Sequence, residues 1–172
     1  GAMLRCAQPV LLIAAALSDR SPFLQPFGRR EEARLVQANF NREQSDHLAV
    51  LEAHRQWGEA RRQGGNGEGR RFADRHFLSE RTLQGMSDMA DQFWEQLAGL
   101  GLLPKLGRMR PEKRDAARAV ANANANNQQL LKAVLCAGLF PNVLKVTPGK
   151  NHPSLSQQKQ QVHIHPSSFN KG

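Results

Sequence analysis

From Asn127 to Gly172 the chain carries five lysines (Lys132, Lys145, Lys150, Lys159 and Lys171) and no acidic residue. The formal charge of the 172-residue chain is +9, so over half of it falls in the last quarter. Ammonium groups without neighbouring carboxylates suit a polyanion, through phosphate contacts and counterion release. Lys145 stands in the first of two short strand-like runs. In the second, His163 and His165 flank Ile164, so both imidazoles fall on one face of a strand. With His152 in the preceding loop they could bind zinc, but no cysteine or carboxylate is near enough in sequence to finish a site. Stacking on a base or donating to a phosphate fits them better. The run closes on His165-Pro166-Ser167-Ser168, where Pro166 ends the strand. Ser167, Ser168 and nearby backbone amides are then open to phosphate oxygens, contacts that position a nucleic acid without reading its sequence. A plain strand-ending turn is the other reading.

Elsewhere the reactive-looking residues have simpler explanations. Asp46-His47 resembles an acid–base pair, yet at a helix start Asp46 serves the positive end of the helix dipole and His47 packs locally. Gly64 to Gly69 has the glycines of a phosphate cradle but no Gly-Lys-Ser/Thr and no preceding strand, so it reads as a helix connection. Arg81, in a helix–helix turn, can cap a carbonyl or reach a phosphate. Trp57, Phe72, Phe77, Phe93 and Trp94 keep the spacings of core residues and are assigned to packing.

The elements that must position these groups are mainly helical. Residues 7–17 form an apolar helix closed by Ser21-Pro22, with Pro22 and Pro26 keeping the next segment extended. Arg29 to Asn39 is a charged helix with Leu35 and Val36 inward. Ser45 caps an amphipathic helix carrying Leu48, Val50, Leu51, Trp57 and Ala60. After the glycine loop come Arg70 to Leu78 and Ser79 to Leu100. Residues 105–126, ending in the low-complexity Ala121 to Asn127, read as a solvent-exposed insertion with at most a frayed helix near Arg114 to Val120. A final helix from Gln128 stops at Gly138. Then follow a strand over 142–146, a polar loop over 147–159 and a strand over 160–165. Two strands alone rarely hold together in water, so this hairpin must open a larger sheet or lean on the bundle.

Composition agrees. Forty per cent apolar residues can supply a core for one domain or slightly more. Cys6 and Cys136 lie far apart inside apolar runs and read as two buried free thiols, which fits a reducing compartment. Pro9 to Leu17 is too short to span a membrane. Gly1-Ala2-Met3 reads as a protease scar ahead of an expressed fragment.

Five segments, in order, are similar to the C-terminal accessory region of DEAH/RHA-type RNA helicases. LLIAAALSDRSPFLQP resembles the close of their degenerate winged helix. SDHLAVLEAHRQW resembles their Asp-His-Leu helix with its downstream aromatic. RFADRHFLSERTLQGMSDMADQF resembles the next helix pair, with Arg81 and Gln92 at the family's arginine and glutamine. LLKAVLCAGLFPNVLKV and VHIHPSSFN resemble the last bundle helix and the first strands of the OB-fold. The leaning is towards members with RNA-helicase-A-like or quadruplex-resolving C-terminal regions. Departures are Phe72-Ala73 for a common aromatic–cysteine pair and Phe140 for a common tyrosine.

The resemblance implies a mainly α fold: a winged-helix tail (4–28), a ratchet-like helical bundle (29–140) and a β-hairpin beginning a truncated OB-fold (141–172). It implies a non-catalytic part of an ATP-dependent helicase that forms the single-stranded RNA channel and contacts the RNA backbone through Arg81, Lys145, His163, His165, Ser167 and Ser168. ATP and Mg would belong to RecA-like domains of the same parent chain, whose ATP-binding loop, DEAH box and arginine finger are missing from this sequence. No cofactor is expected in this region, and no membrane partner. The location would be intracellular, cytoplasmic or nuclear. The competing reading is a protein-docking module that receives a helicase activator.

Overall fold

The structure, a computed structural model, describes residues 2–142, 144–147, 154–157, 160–165 and 168–170. Among them run six helices, α1 (Ala7–Ser18), α2 (Arg30–Ala38), α3 (Asp46–Arg75), α4 (Glu80–Gly99), α5 (Pro111–Ala121) and α6 (Gln128–Leu139), then strands β1 (Lys145–Thr147), β2 (Ser154–Gln157) and β3 (Gln160–Val162). The fold is mainly α. No helix among the described residues is long and apolar enough to cross a membrane.

The apolar α1 is the centre of the bundle. It lies mainly against α4, with lighter contact to α3 and α6. Buried Ala15 on α1 and buried Ala90 and Ala98 on α4 leave little side-chain bulk between the two backbones. Pro9 is tolerated inside α1 because it falls in the first turn, where the missing N–H has no helical partner anyway. Ser45 and Ser79 cap α3 and α4, accepting from the Leu48 and Thr82 amides.

The expected glycine loop at 64–69 is instead a kink. Helix continues on both sides of Gly65, whose φ of 71° is a conformation glycine reaches without strain. Gly69 is there for a different reason. A Cβ at that position would meet Arg61 Cγ at 2.2 Å and the Trp57 indole nitrogen at 3.3 Å, because the Arg61 stem lies across it. Gly69→Ala should therefore destabilise by roughly 1–3 kcal/mol, overpacking outweighing the gain in helix propensity of about 1 kcal/mol. Gly85→Ala on α4, with open space around it, should stabilise by roughly 0.5–1 kcal/mol. Urea denaturation of the two variants checks the opposite signs.

Residues 105–126 differ from the expected insertion. Pro111 opens α5 at its first position, and the outer face of that helix is exposed as anticipated. Both flanks, however, are anchored. Leu103, Leu106 and Ala121 are buried, and the low-complexity asparagines make specific bonds. Asn122 Oδ1 accepts from the Gln8 amide at 2.7 Å. The Asn124 backbone N–H donates to the Arg5 carbonyl at 2.8 Å, and its side-chain amide to that of Leu4 at 2.9 Å. This segment staples the start of α1.

Three further expectations are corrected. Leu35 is 73% exposed and Val36 half-buried, while Ala33 and Gln37 form the inner face of α2. The stop of α6 is not Gly138, because the helix runs on to Leu139. Phe140 precedes Pro141, which disfavours helical geometry there, and it adopts ψ 138°. Cys6 is buried and Cys136 exposed, and the two are not joined by a disulfide.

The two-stranded hairpin is replaced by a three-stranded antiparallel arrangement in the order β1-β2-β3. The new strand, β2, occupies part of the expected polar loop. Its Leu155 is in register with Val146 of β1 and Val162 of β3.

Candidate nucleic-acid interface

The site is built where the chain before α2, the α3–α4 turn and the last described residues meet. Gln37, 1% exposed, donates from one side-chain nitrogen to the Leu24 and Phe77 carbonyls, at 2.9 Å each. Those carbonyls belong to segments already joined by the Leu24 amide donating to Phe77 and the Ser79 amide donating to Pro22, both at 2.8 Å. A polar side chain in a charged helix thus satisfies the backbone of the extended 22–26 segment. It also fixes the orientation of α2.

Phe23 heads a line of rings. Phe169 meets it edge-on with centroids 4.9 Å apart, Phe40 lies 6.1 Å away, and Phe40 continues to Phe72 and His76. Phe169 is held a second time: its amide donates to Asp46 Oδ1 at 2.9 Å. Asp46 therefore does more than serve the helix dipole. On either side, the Ser168 amide donates to the His165 carbonyl at 3.0 Å, and the Asn170 amide to Ser168 Oγ at 3.1 Å.

These contacts leave a cleft of about 380 Å³ whose lining includes Ser21, Gln25, Arg30, Arg34, Ser168 and Phe169. Arg30 and Arg34 are one turn apart on α2, so both guanidinium groups fall on one face. Glu31 is the acid at the rim. The neighbouring Arg29 pairs with Glu32 through two hydrogen bonds of 2.8 and 2.7 Å and lies over the Phe77 ring. That pairing lowers the Glu32 carboxyl below its ordinary range and raises Arg29. Two guanidinium forks, two serine hydroxyls and the Gln25 amide line one cleft and form a donor-rich site suited to an anion. A larger cleft of about 680 Å³, between α1, α3 and the turn into α6, mixes Arg42, Arg55 and Arg118 with Glu43 and Glu52. It holds two carboxylates, and Glu52 already pairs with Arg55 at 2.7 Å, so it suits a polyanion less well.

Residues 131–172 match the oligonucleotide/oligosaccharide-binding (OB) fold family, and residues 1–50 match the ratchet-like helicase associated domain (HA2) family. The ATP-dependent DNA/RNA helicase DHX36 of Homo sapiens is 36% identical over 176 residues, covering 99% of this chain and 17% of the relative. The DExH-box ATP-dependent RNA helicase DExH1 of Arabidopsis thaliana is 38% identical over 177 residues, covering 99% of this chain and 16% of the relative. The human putative ATP-dependent RNA helicase DHX57 is 38% identical over 155 residues, covering 85% and 11%.

This chain is a C-terminal helicase-associated region of the DEAH/RHA family. It spans about a sixth of the length of the DHX36 and DExH1 relatives.

Within this DEAH/RHA region the sequence-predicted contact residues are spread out. Ser168 is half-buried in the cleft. His163 and His165 are exposed beyond β3, with the His165 carbonyl tied to Ser168. Lys145 opens β1, opposite Ser156. Arg81 is exposed in the first turn of α4, apart from the cleft lining. Ser167 and Lys159 lie outside the described residues. Lys132 is paired with Glu43 at 3.0 Å, so its charge is shared with the bundle rather than offered to a ligand. Sequence reasoning missed Arg30 and Arg34. The available signal was their four-residue spacing beside a Ser-Pro turn.

Proposed function

We propose that this region is a non-catalytic part of an ATP-dependent RNA helicase that holds the sugar–phosphate backbone of single-stranded RNA. The observation that supports this reading is the cleft shared by Ser168, Arg30 and Arg34. Arginines bind phosphate oxygens as forks, and the serine hydroxyl adds a donor. None of these contacts reads a base, which suits a channel through which a strand must slide. Lys145 on β1, His163 and His165 beyond β3, and Arg81 on α4 would each add a further contact to the RNA backbone. In the parent chain, RecA-like domains would supply ATP and Mg and close the channel from the other side. An intracellular location follows from that role.

Fluorescence anisotropy of a poly-uridine oligomer tests the reading, titrated at about 50 and 200 mM salt, the range over which phosphate-driven binding falls steeply. Arg30→Gln with Arg34→Gln should weaken binding at low salt and reduce the slope of log affinity against log salt by about 0.7 per lost phosphate contact. Lys145→Glu with Lys159→Glu should act in the same direction. An unchanged slope in the arginine variant would remove the cleft from the interface.

A second reading, docking of a protein activator, has its own observation. Phe27 is 96% exposed and Leu35 73%, both beside the arginine face of α2. A protein partner held by such apolar groups should survive salt that strips RNA away.

A further inference from the structure

We infer that Asp46 and Phe169 are positioning residues that lock the end of the strand region onto the bundle and thereby place Ser168 in the RNA cleft. This rests on the proposed cleft but concerns how it is assembled. The two sides of the cleft come from opposite ends of the sequence: Arg30 and Arg34 from α2, Ser168 from beyond β3. What holds them in register is the residue next to Ser168. The Phe169 amide donates to a carboxylate oxygen at the first position of α3, a charge-assisted bond stronger than a neutral one. Its ring seats edge-on against Phe23, which is fixed to the α3–α4 turn by a bridge to Leu78. With 168–170 undocked, Ser168 leaves the cleft and its hydroxyl no longer stands beside Arg30 and Arg34.

A phosphate bridging α2 and Ser168 binds the docked arrangement and not the undocked one. RNA binding and docking are therefore linked, and each must strengthen the other by the same factor. Asp46 touches no RNA in this scheme. It acts through Ser168, and that makes a distinct pattern of effects.

The test is poly-uridine anisotropy on the full chain with Asp46→Ala, Asp46→Asn, Ser168→Ala and the Asp46→Ala/Ser168→Ala pair, with thermal melts to confirm folding. Asp46→Ala should weaken binding about fivefold, the worth of one hydrogen bond, with the salt slope unchanged because no cation is lost. Asp46→Asn keeps an acceptor oxygen and should recover most of the affinity. The pair should bind no more weakly than Ser168→Ala alone. In the wild type, saturating poly-uridine should slow hydrogen exchange of the 168–170 amides. Wild-type affinity in Asp46→Ala, multiplicative losses in the pair, or unslowed exchange each overturn the inference. If Asp46→Ala binds normally while the arginine variant loses affinity, the cleft stands and only the lock falls. If the arginine variant binds normally, cleft and lock fall together.

Discussion

Trp94→Ala should lower the stability of this region by about 3–5 kcal/mol, the range for truncating a buried aromatic. Trp94 is 1% exposed on α4. Its indole N–H donates to the Pro104 carbonyl at 3.1 Å, and Arg118 of α5 lies over the ring at 5.4 Å. Removing it opens a cavity, orphans a carbonyl and frees the turn in which Leu103 and Leu106 are buried. Leu100→Ala, at a site 74% exposed nearby, should stay within about 0.5 kcal/mol. Urea denaturation of both variants decides. A sharper contrast comes from the other tryptophan. Trp57 is as deeply buried, but its indole N–H meets no acceptor among the described residues. Phenylalanine should then cost less at position 57 than at 94, because only at 94 does it break a bond. Equal costs would mean that the Pro104 contact contributes nothing.

Helices were legible in the sequence wherever apolar period and cap agreed. Ser45 and Ser79 each accept from the amide three residues on, and the aromatics assigned to packing at 57, 72, 77 and 94 are buried. Three missed features share one cause: they depend on polar side chains whose partners are remote in sequence. Gln37 reads as one more polar residue of a charged helix until Leu24 and Phe77 present their carbonyls to it. Asn122 and Asn124 read as low complexity until the chain brings Gln8, Arg5 and Leu4 beside them. Leu35 has the apolar character of an inner residue, yet Ala33 is the buried one, its small side chain letting α2 approach. The cleft was half legible. Ser168 stood out through the proline and serines at the strand end, whereas Arg30 and Arg34 gain meaning only when Phe169 docks beside them.

Acidification should weaken the fold through His54 before it reaches the carboxylates. The His54 ring lies between α3 and α4, with Nε2 2.8 Å from Ser87 Oγ and the Trp57 ring 5.6 Å away. Burial disfavours the imidazolium and pushes its pKa from 6.5 down to about 4, against a smaller opposing pull from the Leu83 backbone. The unfolded chain binds this proton near pH 6.5 and the folded chain only near 4. Stability from the buried neutral ring is therefore whole above pH 6.5 and falls away as pH drops towards 4, a loss of about 3 kcal/mol. Glu52 also contributes, in a different window. Its hydrogen bond from Arg55 lowers its pKa below the ordinary 4.5, so its share persists above that value and is lost only below it. Urea midpoints between pH 7 and 4.5 thus report mainly on the histidine. His54→Gln, which keeps a polar partner for Ser87 but cannot titrate, should start less stable at pH 7 and then hold nearly level across that range. A variant that declined as steeply as the wild type would place the acid sensitivity elsewhere. The α3–α4 contact would then have to tolerate a charged ring.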